Sequence, residues 1–349
     1  MPTRLLRAAT VGLLFIAVAV ARADGTDDFL KAEMQRQNIP GLSLVVLRHG
    51  KVIKSQGYGL ADRAQKIAAT PDTVYKIASV SKQFIATGIM VLVQDGRLGV
   101  DDPVHKHLPD APASWQAITI RHLLTHTAGL VREPPGFDPF KTMGVDELVK
   151  TAYAVPLRFA PGEKYEYSNT GYNVLAEIIA RTSGKPWPAF IDERVFTPTG
   201  MTMTWPTDTT ARVPNRAHGY VDNDELRDEP TWVALRPSGA FLSTVMDLAK
   251  WDAMLYTDKV LTEATRRQMW TPVTLNDGKS YPYGFGWVLG SRNGVKYVQH
   301  SGGMPGTRAN LSRFENGLTI IMLMNLDDVD IEPVVAGVAA RYLPATERP

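Results

Sequence analysis

The spacing of apolar positions changes its period along the chain. Leu42–Arg48 is rich in leucine and valine, His49-Gly50 is a turn signal, and Lys51–Ser55 can run back as a second strand, so this part predicts a β-hairpin. Phe29–Gln37 predicts a short helix before it. Ser79–Gln94 is apolar on almost every face, which is typical of a buried helix.

The middle third predicts helices joined by long loops, and the last third returns to short strands. The predicted helices are Ile120–Thr125, Val145–Tyr153 and Tyr172–Thr182. The predicted strands are Phe285–Leu289, Val295–His300, Ala309–Phe314 and Leu318–Leu323, followed by a closing helix over Pro333–Tyr342. Asn293-Gly294 and Asn316-Gly317 favour tight hairpin turns between these strands.

The order of strands, helices and again strands predicts an α+β fold. Pairing the strands from both ends of the chain in one antiparallel sheet is the simplest arrangement, with helices flanking it and a mostly helical subdomain inserted. We expect the sheet subdomain to comprise about residues 24–78 and 230–349. The helical subdomain is expected to comprise about residues 79–229.

The first 23 residues predict a secretory signal peptide. Arg4 and Arg7 form a basic start, Ala8–Val20 is apolar or neutral, and Ala21–Ala23 fits a small-x-small cleavage site. We expect cleavage after Ala23, one domain over 24–349, and a periplasmic or secreted protein. An uncleaved anchor is the alternative, although the apolar run is shorter than the roughly 20 residues that span a bilayer, so we predict no stable membrane span.

Composition narrows the chemistry further. The 349 residues include no cysteine, which excludes disulfides, thiolate zinc sites, iron–sulfur clusters and a cysteine nucleophile. Without Arg4, Arg7 and Arg22, the formal charge of +2 becomes −1, from 35 basic and 36 acidic residues. This balance indicates no nucleic-acid partner. We expect a monomer that binds a small-molecule or peptide substrate.

Ser79-Val80-Ser81-Lys82 opens the buried helix and has the spacing of a nucleophile and its base. Residues three apart on a helix are neighbours, about 5–6 Å apart at Cβ. Burial removes solvation from a lysine and lowers its pKa, so that it can accept the serine proton. The four-residue pattern alone is weak. Its structural alternative is an N-cap serine followed by a lysine that reaches solvent.

Two further motifs carry polar groups suited to a substrate. Tyr167-Ser168-Asn169 places a tyrosine and an asparagine on one side of an extended segment, where the tyrosine is a general base if a nearby cation lowers its pKa. His300-Ser301-Gly302-Gly303 ends a predicted strand, and its glycines permit close approach of a backbone. The alternatives are a helix cap for the first motif and a Gly-rich turn for the second.

Together, Ser79-Val-Ser-Lys82, Tyr167-Ser-Asn169 and His300-Ser-Gly302 resemble the three motifs of the penicillin-recognising serine hydrolases. They resemble most the class C β-lactamase-like branch, which includes class C β-lactamases, D-alanyl-D-alanine carboxypeptidases and family VIII carboxylesterases. The resemblance extends over nearly all of the chain after residue 23. Four connecting segments resemble that branch as well: Thr119–Leu130, Phe159–Tyr172, Pro237–Trp251 and Tyr283–Trp287.

The resemblance implies a β-lactamase/transpeptidase-like fold and a role for each motif residue. Ser79 would be the acylated nucleophile, and Lys82 and Tyr167 would share the work of the base. Asn169 would hold Lys82 and the substrate amide. The N–H groups of Ser79 and Gly303 would form the oxyanion hole. In the third motif, His300 and Ser301 would face the leaving group or the substrate carboxylate, and Gly302 belongs to the same substrate-binding segment. No metal or cofactor is implied.

One departure from the family pattern widens the range of substrates. Class C β-lactamases usually have Lys-Thr-Gly where this chain has His300-Ser301-Gly302, and a histidine is mostly neutral at pH 7. D-Alanyl peptides, β-lactams and short-chain esters therefore all remain candidates. The alternatives are a carboxylesterase with little peptidase activity and a penicillin-binding sensor that acylates without turnover. His122 and His126 are spaced like metal ligands, but the glutamate of H-E-x-x-H is missing, so we interpret them as structural.

Overall fold

The computed structural model describes residues 25–138, 141, 143–208, 212–222, 227–228 and 236–344. The predicted signal peptide, residues 1–23, lies outside them. The described strands are β1 Gly41–Arg48, β2 Lys51–Asp62, β3 Ile67–Ala68, β4 Tyr75–Lys76, β5 Trp205–Pro206, β6 Tyr220–Val221, β7 Arg227–Asp228, β8 Phe241–Ser243, β9 Val273–Thr274, β10 Ser280–Tyr281, β11 Val288–Arg292, β12 Val295–Met304, β13 Thr307–Phe314 and β14 Leu318–Met324.

Helices fill most of the region between β4 and β11. The described α-helices are α1 Thr26–Arg36, α2 Lys82–Gln94, α3 Val104–His107, α4 Ile120–Leu124, α5 Val145–Thr151, α6 Asn169–Ser183, α7 Trp187–Ile191, α8 Thr197–Thr199, α9 Val245–Met254, α10 Glu263–Met269 and α11 Ile331–Tyr342. Shorter turns are the 3₁₀ segments Ala78–Ser81, Ala113–Trp115 and Pro237–Gly239 and the π-helical turn Asp192–Phe196. None of these helices has the length and apolar character needed to cross a membrane.

Strands from the two ends of the chain form one seven-stranded antiparallel sheet in the order β11-β12-β13-β14-β1-β2-β3. The N-terminal strand β1 pairs directly with the C-terminal strand β14, with Val45 opposite Ile321. The predicted α+β fold with a shared antiparallel sheet is therefore confirmed. The limits of the two subdomains stay a prediction.

The central strand β1 is buried on both faces, and alternate side chains enter two different cores. Val45 and Leu47 pack with α2 and the other helices of the middle third. Leu44 and Val46 pack on the opposite face with side chains from the terminal helices α1 and α11. This period of two is the ordinary consequence of strand geometry. The sheet is thus a layer between two groups of helices.

The predicted buried helix forms, but its first turn differs from the prediction. Ala78–Ser81 is a 3₁₀ turn that leads into the α-helix at Lys82. Ala78, directly before the first serine of the motif, has a φ of +45°. Such a conformation is strained for alanine and recurs at functional sites. The beginning of α2 is therefore shaped by its surroundings and not by helix propensity alone.

The predicted strand Phe285–Leu289 is wrong in its bounds, because β11 begins only at Val288. Gly286 has a φ of +78°, which a regular strand does not allow, and a Cβ there would lie 2.9 Å from the Lys82 carbonyl oxygen. Phe285 and Trp287 are buried on either side of it. The segment is therefore a packed loop against the start of α2.

We predict that Phe84→Ala destabilises the protein by about 3–5 kcal/mol, because it leaves a cavity among aromatic rings. Phe84 is completely buried on α2, with edge-on ring contacts to Phe196 and Phe241 at 5.0 and 6.0 Å. Urea unfolding followed by tryptophan fluorescence measures the loss, and Phe84→Leu is the control that keeps most of the volume. Equal stability of the two variants would contradict the packing described here.

Candidate active site

Two of the three sequence motifs meet at the side chain of Lys82, which is completely buried. Its Nζ lies 3.1 Å from Ser79 Oγ, 2.8 Å from Asn169 Oδ1 and 2.7 Å from the carbonyl oxygen of Ser238. Asn169 comes from the second motif, at the start of α6, and Ser238 from the 3₁₀ turn before β8. The structure therefore brings the predicted nucleophile, the predicted base and the predicted asparagine into direct contact.

The surroundings of Lys82 favour its neutral form. Burial is the largest cause that holds the pKa of Lys82 well below its usual range, and the positive charge of Arg236 acts in the same direction, while Glu133 opposes them. A neutral amine has two N–H donors and one lone pair. The Asn169 and Ser238 oxygens can only accept, so the lone pair is left for the Ser79 hydroxyl.

Tyr167 lies beside this lysine, with Lys82 Nζ 4.8 Å from the centre of its ring. The predicted lowering of its pKa is not found. Burial raises the pKa of Tyr167 above its usual value, although a hydrogen bond with Ser79 and the positive charge of Arg132 act in the other direction. At neutral pH Tyr167 is thus a phenol that can donate a proton.

The third motif occupies the end of β12, where side chains alternate between two environments. His300 and Gly302 are buried, whereas Ser301 and Gly303 are exposed. A Cβ at Gly302 would lie 3.0 Å from the backbone nitrogen of Ser79. The strand therefore lies directly against the nucleophile segment, and this close approach requires glycine.

A chain of hydrogen bonds links His300 to the second motif through Tyr283. The Ser168 backbone N–H donates to His126 Nδ1 at 3.1 Å, so the neutral ring carries its proton on Nε2, which is 3.0 Å from the Tyr283 oxygen. Tyr283 Oη is also 3.0 Å from His300 Nε2, and His300 Nδ1 lies 2.6 Å from the Ser301 carbonyl oxygen. That carbonyl can only accept, which leaves His300 Nε2 to accept the Tyr283 proton.

This arrangement differs from the expected role of His300. The ring is 3% exposed and both nitrogens have protein partners. Burial is the largest cause that lowers the pKa of His300 to about 3. A neutral, enclosed ring supplies no charge for a substrate carboxylate, and both of its nitrogens are used in hydrogen bonds to Tyr283 and to its own strand.

The loop that follows Leu130 adds charged groups that the motifs did not reveal. Glu133 Oε1 accepts hydrogen bonds from Asn169 Nδ2 and, at 3.0 Å, from Arg236 Nη1. Arg132 places its guanidinium 5.3 Å from the centre of the Tyr167 ring. Neither Arg132 nor Glu133 belongs to any of the three motifs. The only available signal was that the loop directly follows a segment resembling the family.

The two histidines with metal-like spacing have separate structural contacts. His122 completes a capping box with Thr119 at the start of α4. His126 lies beyond that helix, and its Nε2 is hydrogen-bonded to the Tyr283 hydroxyl. Across the described ranges, no group of three or more metal-ligating side chains is assembled.

Comparisons with known proteins agree with this geometry. A family model described as "Beta-lactamase" matches residues 26–340. The chain is 34% identical over 319 residues to penicillin-binding protein 4* of Bacillus subtilis, covering 84% of this chain and 70% of that protein. Among solved structures, D-amino acid amidase from Ochrobactrum anthropi is 27% identical with a TM-score of 0.78, over 91% of this chain and 98% of that chain. An octameric penicillin-binding protein homologue from Pyrococcus abyssi is 26% identical with a TM-score of 0.77, over 90% of this chain and 76% of that chain.

We predict that Tyr283→Phe raises the pKa of His300, because the lost hydroxyl donates to the nitrogen that must accept the second proton. The free energy of unfolding should fall by about 1–3 kcal/mol, since buried imidazole groups lose their partner. Nitrogen-15 NMR of the histidine side chains follows the titration. Tyr281→Phe, a neighbouring exposed tyrosine, is the control. An unchanged His300 titration in Tyr283→Phe would contradict the hydrogen-bond chain.

Proposed function

Because the chain belongs to the β-lactamase family of serine hydrolases, we propose that it cleaves amide or ester bonds through an acyl-enzyme on Ser79. The observation that carries this proposal is the 3.1 Å contact between Lys82 Nζ and Ser79 Oγ. A serine hydroxyl becomes a useful nucleophile only with a base in reach, and the neutral form of Lys82 supplies one.

Acylation then follows from the contacts of the site. Lys82 takes the Ser79 proton as Oγ attacks the carbonyl carbon, and the N–H groups of Ser79 and Gly303 are assigned to the oxyanion. Tyr167 donates its phenolic proton to the leaving group, and the Lys82 ammonium restores that proton. Asn169 holds the lysine through Oδ1. Water afterwards hydrolyses the ester on Ser79.

Three substrate classes fit this chemistry: D-alanyl peptides, β-lactams and short-chain esters. The relative from Bacillus is named a penicillin-binding protein, and the Ochrobactrum neighbour is named a D-amino acid amidase. The first name favours β-lactams, and the second favours amides of D-amino acids. A carboxylesterase is the second candidate, favoured by the neutral state of His300, which provides no fixed cation on β12.

Export and assembly complete the proposal. We infer that residues 1–23 direct the protein to the periplasm or the medium, where peptidoglycan fragments and β-lactams occur. We also propose that the protein is a monomer. Sedimentation of the purified protein tests this, and an octamer like the Pyrococcus homologue would overturn it.

We predict that Ser79→Ala lowers kcat/KM about a thousandfold or more on every substrate while the fold is retained. The mature protein is assayed with a chromogenic cephalosporin, a D-Ala-D-Ala peptide and p-nitrophenyl butyrate. Mass spectrometry follows the adduct on Ser79, and Ser183→Ala at the end of α6 is the control. Full activity in Ser79→Ala would overturn the proposal, and a stable adduct without product would identify a sensor.

We predict that kcat/KM of the native enzyme rises with pH as Lys82 loses its proton, at a pH well below the usual lysine range. The sign follows from the base, which works only when neutral, and from the lowered pKa of Lys82. Lys82→Arg should lose about a thousandfold at every pH, because guanidinium keeps its proton. Lys250→Arg on the surface is the control. A retained ascending limb in Lys82→Arg would remove Lys82 from the role of base.

A further inference from the structure

Arg132 is an exposed cation fixed beside the second motif. Its backbone carbonyl oxygen accepts hydrogen bonds from the backbone N–H groups of Asn169 at 2.8 Å and Thr170 at 3.2 Å. The neighbouring Val131 carbonyl accepts from the Ser168 hydroxyl at 2.8 Å. Three bonds therefore hold this loop against the start of α6, so the position of Arg132 relative to Tyr167 is set by the backbone.

The side chain of Arg132 extends over the Tyr167 ring, with its guanidinium carbon 5.3 Å from the ring centre. No carboxylate within the described ranges pairs with it. The nearby Arg236 is different, because Glu133 Oε1 accepts its hydrogen bond at 3.0 Å. Arg132 is therefore the cation of this cluster whose charge is not balanced by a described neighbour.

Two other basic groups at the site, Lys82 and His300, are poor receptors for an anion. Lys82 is completely buried and occupied by Ser79, Asn169 and Ser238. His300 is enclosed, with both ring nitrogens in hydrogen bonds. The strand position at which related enzymes carry a lysine thus offers no positive charge here, whereas the loop position of Arg132 does.

We propose that Arg132 binds a carboxylate on the leaving-group part of the substrate and selects amides or esters that carry one. This rests on the proposed function, in which Tyr167 protonates the leaving group, because a cation over the Tyr167 ring lies on that side of the scissile bond. Guanidinium suits the task, since its paired N–H donors match the two oxygens of a carboxylate.

The test compares two esters that differ in one charge on the leaving group, 3-carboxyphenyl acetate and phenyl acetate. We expect Arg132→Gln to lower kcat/KM for the carboxylate ester about tenfold more than kcat/KM for phenyl acetate, mainly through KM. Arg132→Lys should keep part of the preference. Added salt should weaken the preference of the native enzyme, because an exposed ion pair is screened. Arg267→Gln, an exposed arginine on α10, is the matched control.

The outcomes separate this inference from the function on which it rests. Hydrolysis of both esters by the native enzyme, with an equal change or no change for both in Arg132→Gln, overturns the role of Arg132 alone. A loss confined to phenyl acetate overturns it as well. Failure of the native enzyme to hydrolyse these esters, the chromogenic cephalosporin and the D-Ala-D-Ala peptide, with no adduct on Ser79, overturns the proposed function and the inference together.

Discussion

The site depends on one buried amine. Lys82 has no exposure to solvent, and its Nζ contacts an oxygen from each of three separate segments, Ser79, Asn169 and Ser238. Removing a charged ammonium from water is expensive, so burial shifts the lysine toward its neutral form. The folding of the apolar helix that carries Lys82 therefore prepares the base, and the two carbonyl-type oxygens orient its lone pair.

The rest of the structure keeps that amine and its nucleophile in place. Apolar and aromatic side chains surround α2, where Phe84 packs against Phe196 and Phe241. On the other side, Gly302 lets β12 approach the Ser79 backbone, and Gly286 lets a loop approach the Lys82 carbonyl. Both glycines act by lacking a Cβ, so they set distances at the site without taking part in chemistry.

The local periodicity of the sequence predicted the hairpin and the buried helix, because each depends on a pattern within a few residues. The pairing of the terminal strands was predicted from the order of the elements. The motif around Ser79 was similarly visible. The hydrogen bonds of Tyr283 with His126 and His300 join positions 157 and 17 residues apart. Such contacts depend on tertiary packing, and no spacing along the chain encodes them. The same holds for Glu133, which reaches Asn169 from a loop.

The change from lysine to histidine on β12 has consequences beyond one position. A lysine there would bring a positive charge close to Lys82, and a neighbouring positive charge lowers the pKa of an amine further. The neutral His300 adds no such charge and instead bonds Tyr283 and its own strand. Recognition of an anion can then be placed farther away, on the exposed loop at Arg132, where solvent stabilises the cation in the free enzyme. The chemistry of proton transfer and the selection of charge thereby belong to separate residues.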